Sequence, residues 1–279
     1  MFYIKKNDKP NFIEKIFNIV KVKRETIIVP ITSNTRPKKI DKLAKKTIKI
    51  IEKKSNSRKV VLSKNIKEES IFINYLNTYG LEIQNGRWLF EILLPEIVEY
   101  IVKKKNLENI KISILINDLN EIEYENIKIL AKKYKLINVV TNHLEKFRKL
   151  KRDLEEYEGI IITTINNKKK SLMKSDIILN IDFPNELFNK YAIKEDSIIV
   201  NVRGKIKINK KRFNGLNIND YEIQYKDYEL TYENSKEIYF NKDIYEAQFY
   251  KKQKINNIRQ KVKKDNVLIK YLVLNNGKM

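Results

Sequence analysis

From Lys111 to Gly204 the chain alternates short apolar runs with long amphipathic ones. ISILI (112–116), INVVT (137–141), GIIITTI (159–165), DIILNID (176–182) and SIIVNV (197–202) are apolar on consecutive residues and rich in Ile and Val. That is the pattern of a strand covered on both faces. EIEYENIKILAKKYK and HLEKFRKLKRDLEEYE lie between the first three runs and repeat at helical spacing. Strand and helix alternating in this way predict a parallel sheet joined by crossover helices.

The preceding part follows the same rule. Phe12, Ile13, Ile16, Phe17, Ile19 and Val20 recur at helical spacing after Pro10, so residues 1–25 read as an amphipathic leader. TIIVPI (26–31), VVLS (60–63) and LEIQ (81–84) read as strands. Residues 40–54 and 67–79 read as helices, the second stopped by Gly80. Residues 88–105 carry the broadest apolar stripe: Leu89, Phe90, Leu93, Leu94, Ile97, Val98, Ile101 and Val102. Pro95 inside it predicts a local bend. After Gly204 the pattern becomes alternating and Tyr-rich. A helix follows over 242–264 around Ile244, Ala247, Tyr250, Ile255 and Ile258, and a last strand over 267–274.

The fold class expected is therefore α/β, a Rossmann-like mostly parallel sheet with helices on both faces. The expected order is a leader (1–25), an N-terminal α/β half (26–109), a Rossmann-like half (110–205) and a Tyr-rich C-terminal extension packing on the sheet (206–279). One sheet or two lobes both satisfy this pattern.

Composition narrows the chemistry. With no cysteine and one histidine, thiolate nucleophiles, disulfides and multi-histidine zinc sites are excluded. No apolar run approaches the roughly 20 residues of a membrane span, and the N-terminus lacks the features of a signal peptide. The expectation is a cytoplasmic protein with no membrane partner. The net charge of +23 suggests a polyanion ligand. Yet only nine of the 58 basic residues are Arg, the side chain suited to bidentate phosphate contacts. Lys, Ile, Asn and Tyr are all over-used while Gly and Pro are scarce, so an AT-rich coding bias is the favoured account of the charge.

In doubly wound sheets ligands bind beyond the carboxyl ends of the strands. After ISILI comes NDLNE (117–121), and no glycine occurs between Gly86 and Gly159, so the GxGxxG cradle for a pyrophosphate is missing. Asp118 and Glu121 put negative charge where phosphates would sit, though acids are also ordinary in a first helical turn. TSNTRPKK (32–39) is the better anion site, with Thr32, Ser33, Thr35 and Arg36 leading into Pro37 at a first helical position. Its simpler reading makes Thr35 an N-cap. NGRW (85–88) holds the analogous place after another strand, so Arg87 is expected to join Arg36 over one crevice. The simpler reading there is a turn that seats Trp88 in the core.

VVTNHLEKFRKLKRDLEEYEGIIIT resembles the second strand and helix of the NADP-binding domain of the shikimate dehydrogenase and glutamyl-tRNA reductase superfamily. In that family a strand ends in Asn-Arg-Thr before a helix with a Lys/Arg-Ala-x-x-Leu run. Asn142 stands at the Asn, His143 replaces the Arg, and Lys146, Phe147 and Leu150 fall in the helix positions. SLMKSDIILNIDFP, with Asp176, and DSIIVNVRG are similar to the later strands. The resemblance spans residues 110–205 and implies contacts to NADP from Asn142, His143 and the neighbouring Asn117. Without the glycine loop, the function expected is that of a non-catalytic binding or scaffold protein with a degenerate dinucleotide site and no resident cofactor. A phosphorylated small molecule is its candidate ligand, near Arg36 and Arg87. Two alternatives stand beside it: an RNA-binding protein using its Lys-rich surface, and a divergent NADP-dependent oxidoreductase with Lys64, Asp118 or Asp182 as proton donor.

Overall fold

The apolar runs build two separate sheets. The computed structural model describes residues 1–7, 9–208, 211–225, 238–249 and 253–279. The chain divides into two units, Met1–Gly86 with Asp227–Gln253, and Arg87–Lys226 with Lys254–Met279. As the pattern predicts, the fold is α/β, with mostly parallel sheets and helices on both sides.

The first unit runs β1 (Phe2–Lys6), α1 (Phe12–Phe17), β2 (Lys21–Lys23), β3 (Thr26–Val29), α2 (Pro37–Lys54), β4 (Lys59–Leu62), α3 (Ser70–Thr78) and β5 (Glu82–Gln84). Its five strands are ordered β2-β3-β1-β4-β5, with β2 antiparallel to β3 and the others parallel. Residues 1–25 are thus not a single amphipathic leader. Phe2 and Ile4 are buried on one face of β1, which is the middle strand of the sheet. Ile40, Leu43, Ala44, Ile48 and Ile51 of α2, with Phe72 and Leu76 of α3, close over Ile27, Val29 and Leu62. Gly80 follows α3 at φ +81°, a left-handed conformation that suits glycine. Residues 238–249 complete this unit: Tyr239 and Ile244 pack on Val61, and the latter lies on a short helix, Asn241–Glu246.

The second unit begins with α4 (Arg87–Ile92) and α5 (Leu94–Lys105). The single helix predicted over 88–105 is broken at Leu93, with Pro95 in the first turn of α5, where its missing N–H is not needed. There follow β6 (Lys111–Leu115), α6 (Glu121–Lys133), β7 (Leu136–Val140), α7 (Arg148–Glu158), β8 (Thr163–Ile165), α8 (Lys168–Lys174), β9 (Ile177–Asn180), α9 (Asn185–Lys190), β10 (Ile198–Asn201), β11 (Leu216–Gln224), α10 (Ile255–Lys264), β12 (Leu268–Leu274) and β13 (Gly277–Lys278). The sheet order is β13-β12-β11-β10-β9-β6-β7-β8. Its six parallel strands, counted from β6, follow the doubly wound order 3-2-1-4-5-6. The antiparallel β12 and β13 extend one edge.

The run over 159–165 is shorter as a strand than its apolar length suggests. Gly159 takes the left-handed cap of α7, and Ile161 is exposed. The helix predicted over 242–264 is two helices in different units. Tyr250 and residues 226–237 of the Tyr-rich stretch lie outside the described residues.

Candidate functional site

In the second sheet, adjacent strands β6 and β9 send their chains in opposite directions, so the switch point lies at their carboxyl ends. The loop after β6 presents the backbone N–H groups of Asn117 and Asp118, as a phosphate cradle would. Both are already used. The Asp182 carboxylate, just past β9, accepts from the Asn117 N–H at 2.9 Å, from the Asp118 N–H at 2.9 Å and from Asn117 Nδ2 at 3.3 Å. An internal carboxylate thus sits where an external anion would dock. Asp118 is itself paired with Lys146 at 3.0 Å, and this contact holds its carboxyl below the ordinary range.

The residues expected to touch a dinucleotide are brought together but are turned toward one another. Asn117 Oδ1 accepts the Asn142 N–H at 3.0 Å, and the His143 N–H donates to Thr141 Oγ1 at 3.0 Å. His143 caps the short 3₁₀ turn Leu144–Phe147 without a side-chain hydrogen bond.

Beside this edge lies a carboxyl pair that the sequence reading did not single out. Arg203, past the end of β10, donates from one nitrogen, Nη2, to Glu91 of α4 at 2.7 Å and to Glu123 of α6 at 2.5 Å. The Glu123 side chain is 1 % exposed and Glu91 11 %, while Arg203 is 39 % exposed. Burial, followed by the hydrogen bond and like charge of Glu91, pushes the Glu123 carboxyl up to about 8. Burial disfavours the Arg203 charge, but the hydrogen bond to Glu91 and the two carboxyls more than offset it and raise its pKa. A carboxylic acid that keeps its proton at neutral pH can donate a hydrogen bond or act as a general acid. The same network continues inward. Asn126 Nδ2 donates to the Glu91 carbonyl at 2.7 Å, and Arg259 donates to Asn126 Oδ1 and pairs with Glu96 at 3.5 Å. The one sequence signal was Glu91 itself, an acid between Phe90 and Ile92 in an apolar stripe.

In the first unit, α2 starts on a loop of a different character. Thr35 N–H donates to the Thr32 carbonyl at 2.9 Å, Thr32 N–H to Thr35 Oγ1 at 2.9 Å, and the two hydroxyls are 3.1 Å apart. This closed turn leaves Ser33, Asn34 and Arg36 exposed. The N-cap is Arg36 rather than Thr35, with Pro37 next and no acidic residue in the first turn. Arg87 belongs to the other unit. There its Nη1 donates to the carbonyls of Asn201 and Val202 at 3.4 and 3.3 Å. Trp88 is half-buried. The amides of the preceding turn, Asn85 and Gly86, donate to Glu246 at 3.2 and 3.1 Å. Lys64, the third proposed proton donor, also lies in the first unit, with its ammonium 5.2 Å from the centre of the Phe240 ring. A cavity of about 880 Å³ lined by Ile193, Lys194, Asp196, Arg212 and Phe213 sits at the amino end of β10, away from the switch point.

No family model matches the chain, and no curated protein matches it. Solved structures do. Aspartate transcarbamoylase from Trypanosoma cruzi, in complex with N-(phosphonacetyl)-L-aspartic acid, is 13 % identical over 71 % of this chain and 70 % of its own, at a TM-score of 0.30. Ornithine carbamoyltransferase from Gloeobacter violaceus is 10 % identical over 77 % of each chain, at 0.30. The mitochondrial ornithine carbamoyltransferase from Coccidioides immitis is 10 % identical over 77 % and 76 %, at 0.29.

These matches correct the resemblance to the shikimate dehydrogenase and glutamyl-tRNA reductase superfamily: the matched structures are carbamoyltransferases. The expectation of a non-catalytic protein with a degenerate dinucleotide site is not borne out either: the structures matched are those of enzymes. The RNA-binding and NADP-oxidoreductase alternatives gain no support from these matches. The geometry gives the physical reason for the last, since Asp182 fills the amide cradle a pyrophosphate would need. Among the described residues no helix is long and apolar enough to cross a membrane.

Proposed function

We propose that the first unit takes the phosphate of a small molecule on the loop between β3 and α2, through Thr32, Ser33, Thr35 and Arg36. The observation that carries this reading is a contrast between two loops at the carboxyl ends of strands. The loop after β6 has its amides filled by Asp182. Among the described residues, no carboxylate is bonded to Thr32, Ser33, Thr35 or Arg36, and the first turn of α2 holds no acid. An 18-residue helix carries a partial positive charge at that end. Hydroxyls, a guanidinium and the ammonium groups of Lys38 and Lys39 suit a dianion better than a neutral group.

The test is a thermal melt with inorganic phosphate against sodium chloride at matched ionic strength. Phosphate is expected to raise the midpoint, because a ligand that binds only the folded state stabilises it, by about 2.7 kcal/mol at a hundredfold excess over Kd. Arg36→Ala combined with Thr32→Val is expected to abolish most of that rise. An equal rise in the double variant would move the site elsewhere and end this reading.

A further inference from the structure

The helix α1 is inside out. Phe12, Ile13, Ile16 and Phe17 form one stripe on its surface, and that stripe faces solvent: Phe12 is 76 % exposed, Ile13 58 % and Phe17 65 %. The buried residue is the acid, Glu14, at 4 %. Polar contacts hold this orientation. Asn11 and Glu14 make a reciprocal capping box, Asn7 Nδ2 donates to Glu14 at 2.8 Å, and Lys21 pairs with the same carboxylate. A globular helix left to the hydrophobic effect would turn the other way. Here the fold uses hydrogen bonds and an ion pair to point four large apolar side chains outward.

The surroundings of this knob are cationic. Lys46 of α2 reaches across to the carbonyls of Phe17 and Asn18, both at 2.9 Å, so α2 borders α1. Lys42 and Lys49 share the exposed face of α2 with Lys46, at i−4 and i+3. Lys15 on α1 itself and Lys23 and Arg24 beyond it are exposed as well. Docking a second copy would bring identical sets of lysines face to face, which like-charge repulsion opposes. An apolar wedge ringed by lysines matches the boundary of an anionic bilayer, whose acyl region accepts the aromatic rings while its headgroups meet the ammonium groups.

We infer that α1 and the basic face of α2 form a peripheral docking surface for an anionic membrane. The contact is adsorption, not insertion of a span. Sedimentation with vesicles tests it, using phosphatidylcholine alone and phosphatidylcholine mixed with phosphatidylglycerol. The full-length protein is expected to sediment with the anionic vesicles only, and added salt weakens that binding. Phe12→Ser with Phe17→Ser is expected to weaken it at least about tenfold, with an unchanged circular-dichroism melt because both rings are exposed. Lys42→Gln and Lys49→Gln are expected to weaken it about fivefold each. Unaltered binding by the Phe12→Ser, Phe17→Ser variant would overturn the proposal. So would a failure of the parent protein to bind anionic vesicles, or a dimer seen by light scattering that the same variant dissolves.

Discussion

Replacing Glu123 by Gln is expected to make the second unit more stable at neutral pH, although it removes one of the two carboxyls that Arg203 contacts. In the folded protein the Glu123 carboxyl has been pushed up from 4.5 to about 8 by burial and by Glu91. Folding therefore takes up a proton wherever the unfolded carboxyl is ionised. The stability this group contributes is fully present below about pH 4.5 and is lost as the pH rises toward 8. The loss approaches ~1.4 kcal/mol per pH unit. At pH 7 it has reached at most ~3 kcal/mol, and the half-exposed Arg203 screens part of it, leaving about 1–3 kcal/mol. Gln keeps the shape and the hydrogen-bonding capacity of the protonated acid, so Arg203 retains Glu91 as its charged partner. The variant should match the parent near pH 4 and exceed it by that amount at pH 7. Trp88 is the sole tryptophan and belongs to the second unit, so urea unfolding followed by its fluorescence reports on this unit. A pH slope that persists in the variant would refute the placement of the proton. A loss of stability equal at every pH would show instead that the Glu123 charge supports the fold.

Two further outcomes follow from contacts in the second unit. Asp182→Ala leaves the Asn117 and Asp118 amides without their acceptor, which should cost about 1–3 kcal/mol by Trp88 fluorescence; inorganic phosphate at matched ionic strength should restore part of it, and no restoration would mean that the vacated amides do not form an anion cradle. Gly215→Ala is expected to be more damaging, about 3 kcal/mol or more, because a Cβ there would run into the Ser197 carbonyl and the Phe213 ring. A change within ~0.5 kcal/mol would show that the chain entering β11 has slack to move.

The strands that could be read from the chain are those covered on both faces. β6, β9 and β10 are buried almost residue for residue, so their apolar runs carry no competing signal. β1 was missed for the opposite reason. In FYIKK only Phe2 and Ile4 face the core, and two lysines end a five-residue strand. The helical spacing after Pro10 was real, but periodicity reports a face and not which way it points, and in α1 it points to solvent. The break at Leu93 preserves the apolar stripe across both helices, so the stripe alone could not show it. At the switch point, Asn117 and Asn142, which the resemblance put side by side, do meet through the Asn142 N–H. That Asp182 would occupy the amides between them depends on a carboxylate 64 residues from Asp118, a separation no local pattern encodes. Arg203 meeting Glu91 and Glu123 depends on three distant segments in the same way.

The path of the backbone has a consequence for the order in which the protein can be made. The chain leaves the first unit at Gly86, builds most of the second, returns for 227–253, and then goes back. When residue 86 has been synthesised, the amides of Asn85 and Gly86 still lack Glu246, and Lys67 still lacks Asp243. The second unit is equally unfinished until β12 lies against β11. During translation both units wait, partly built, for the last fifty or so residues of this chain. Each then closes with a segment that the other has delayed, so a truncation near residue 225 should remove two folded units rather than one.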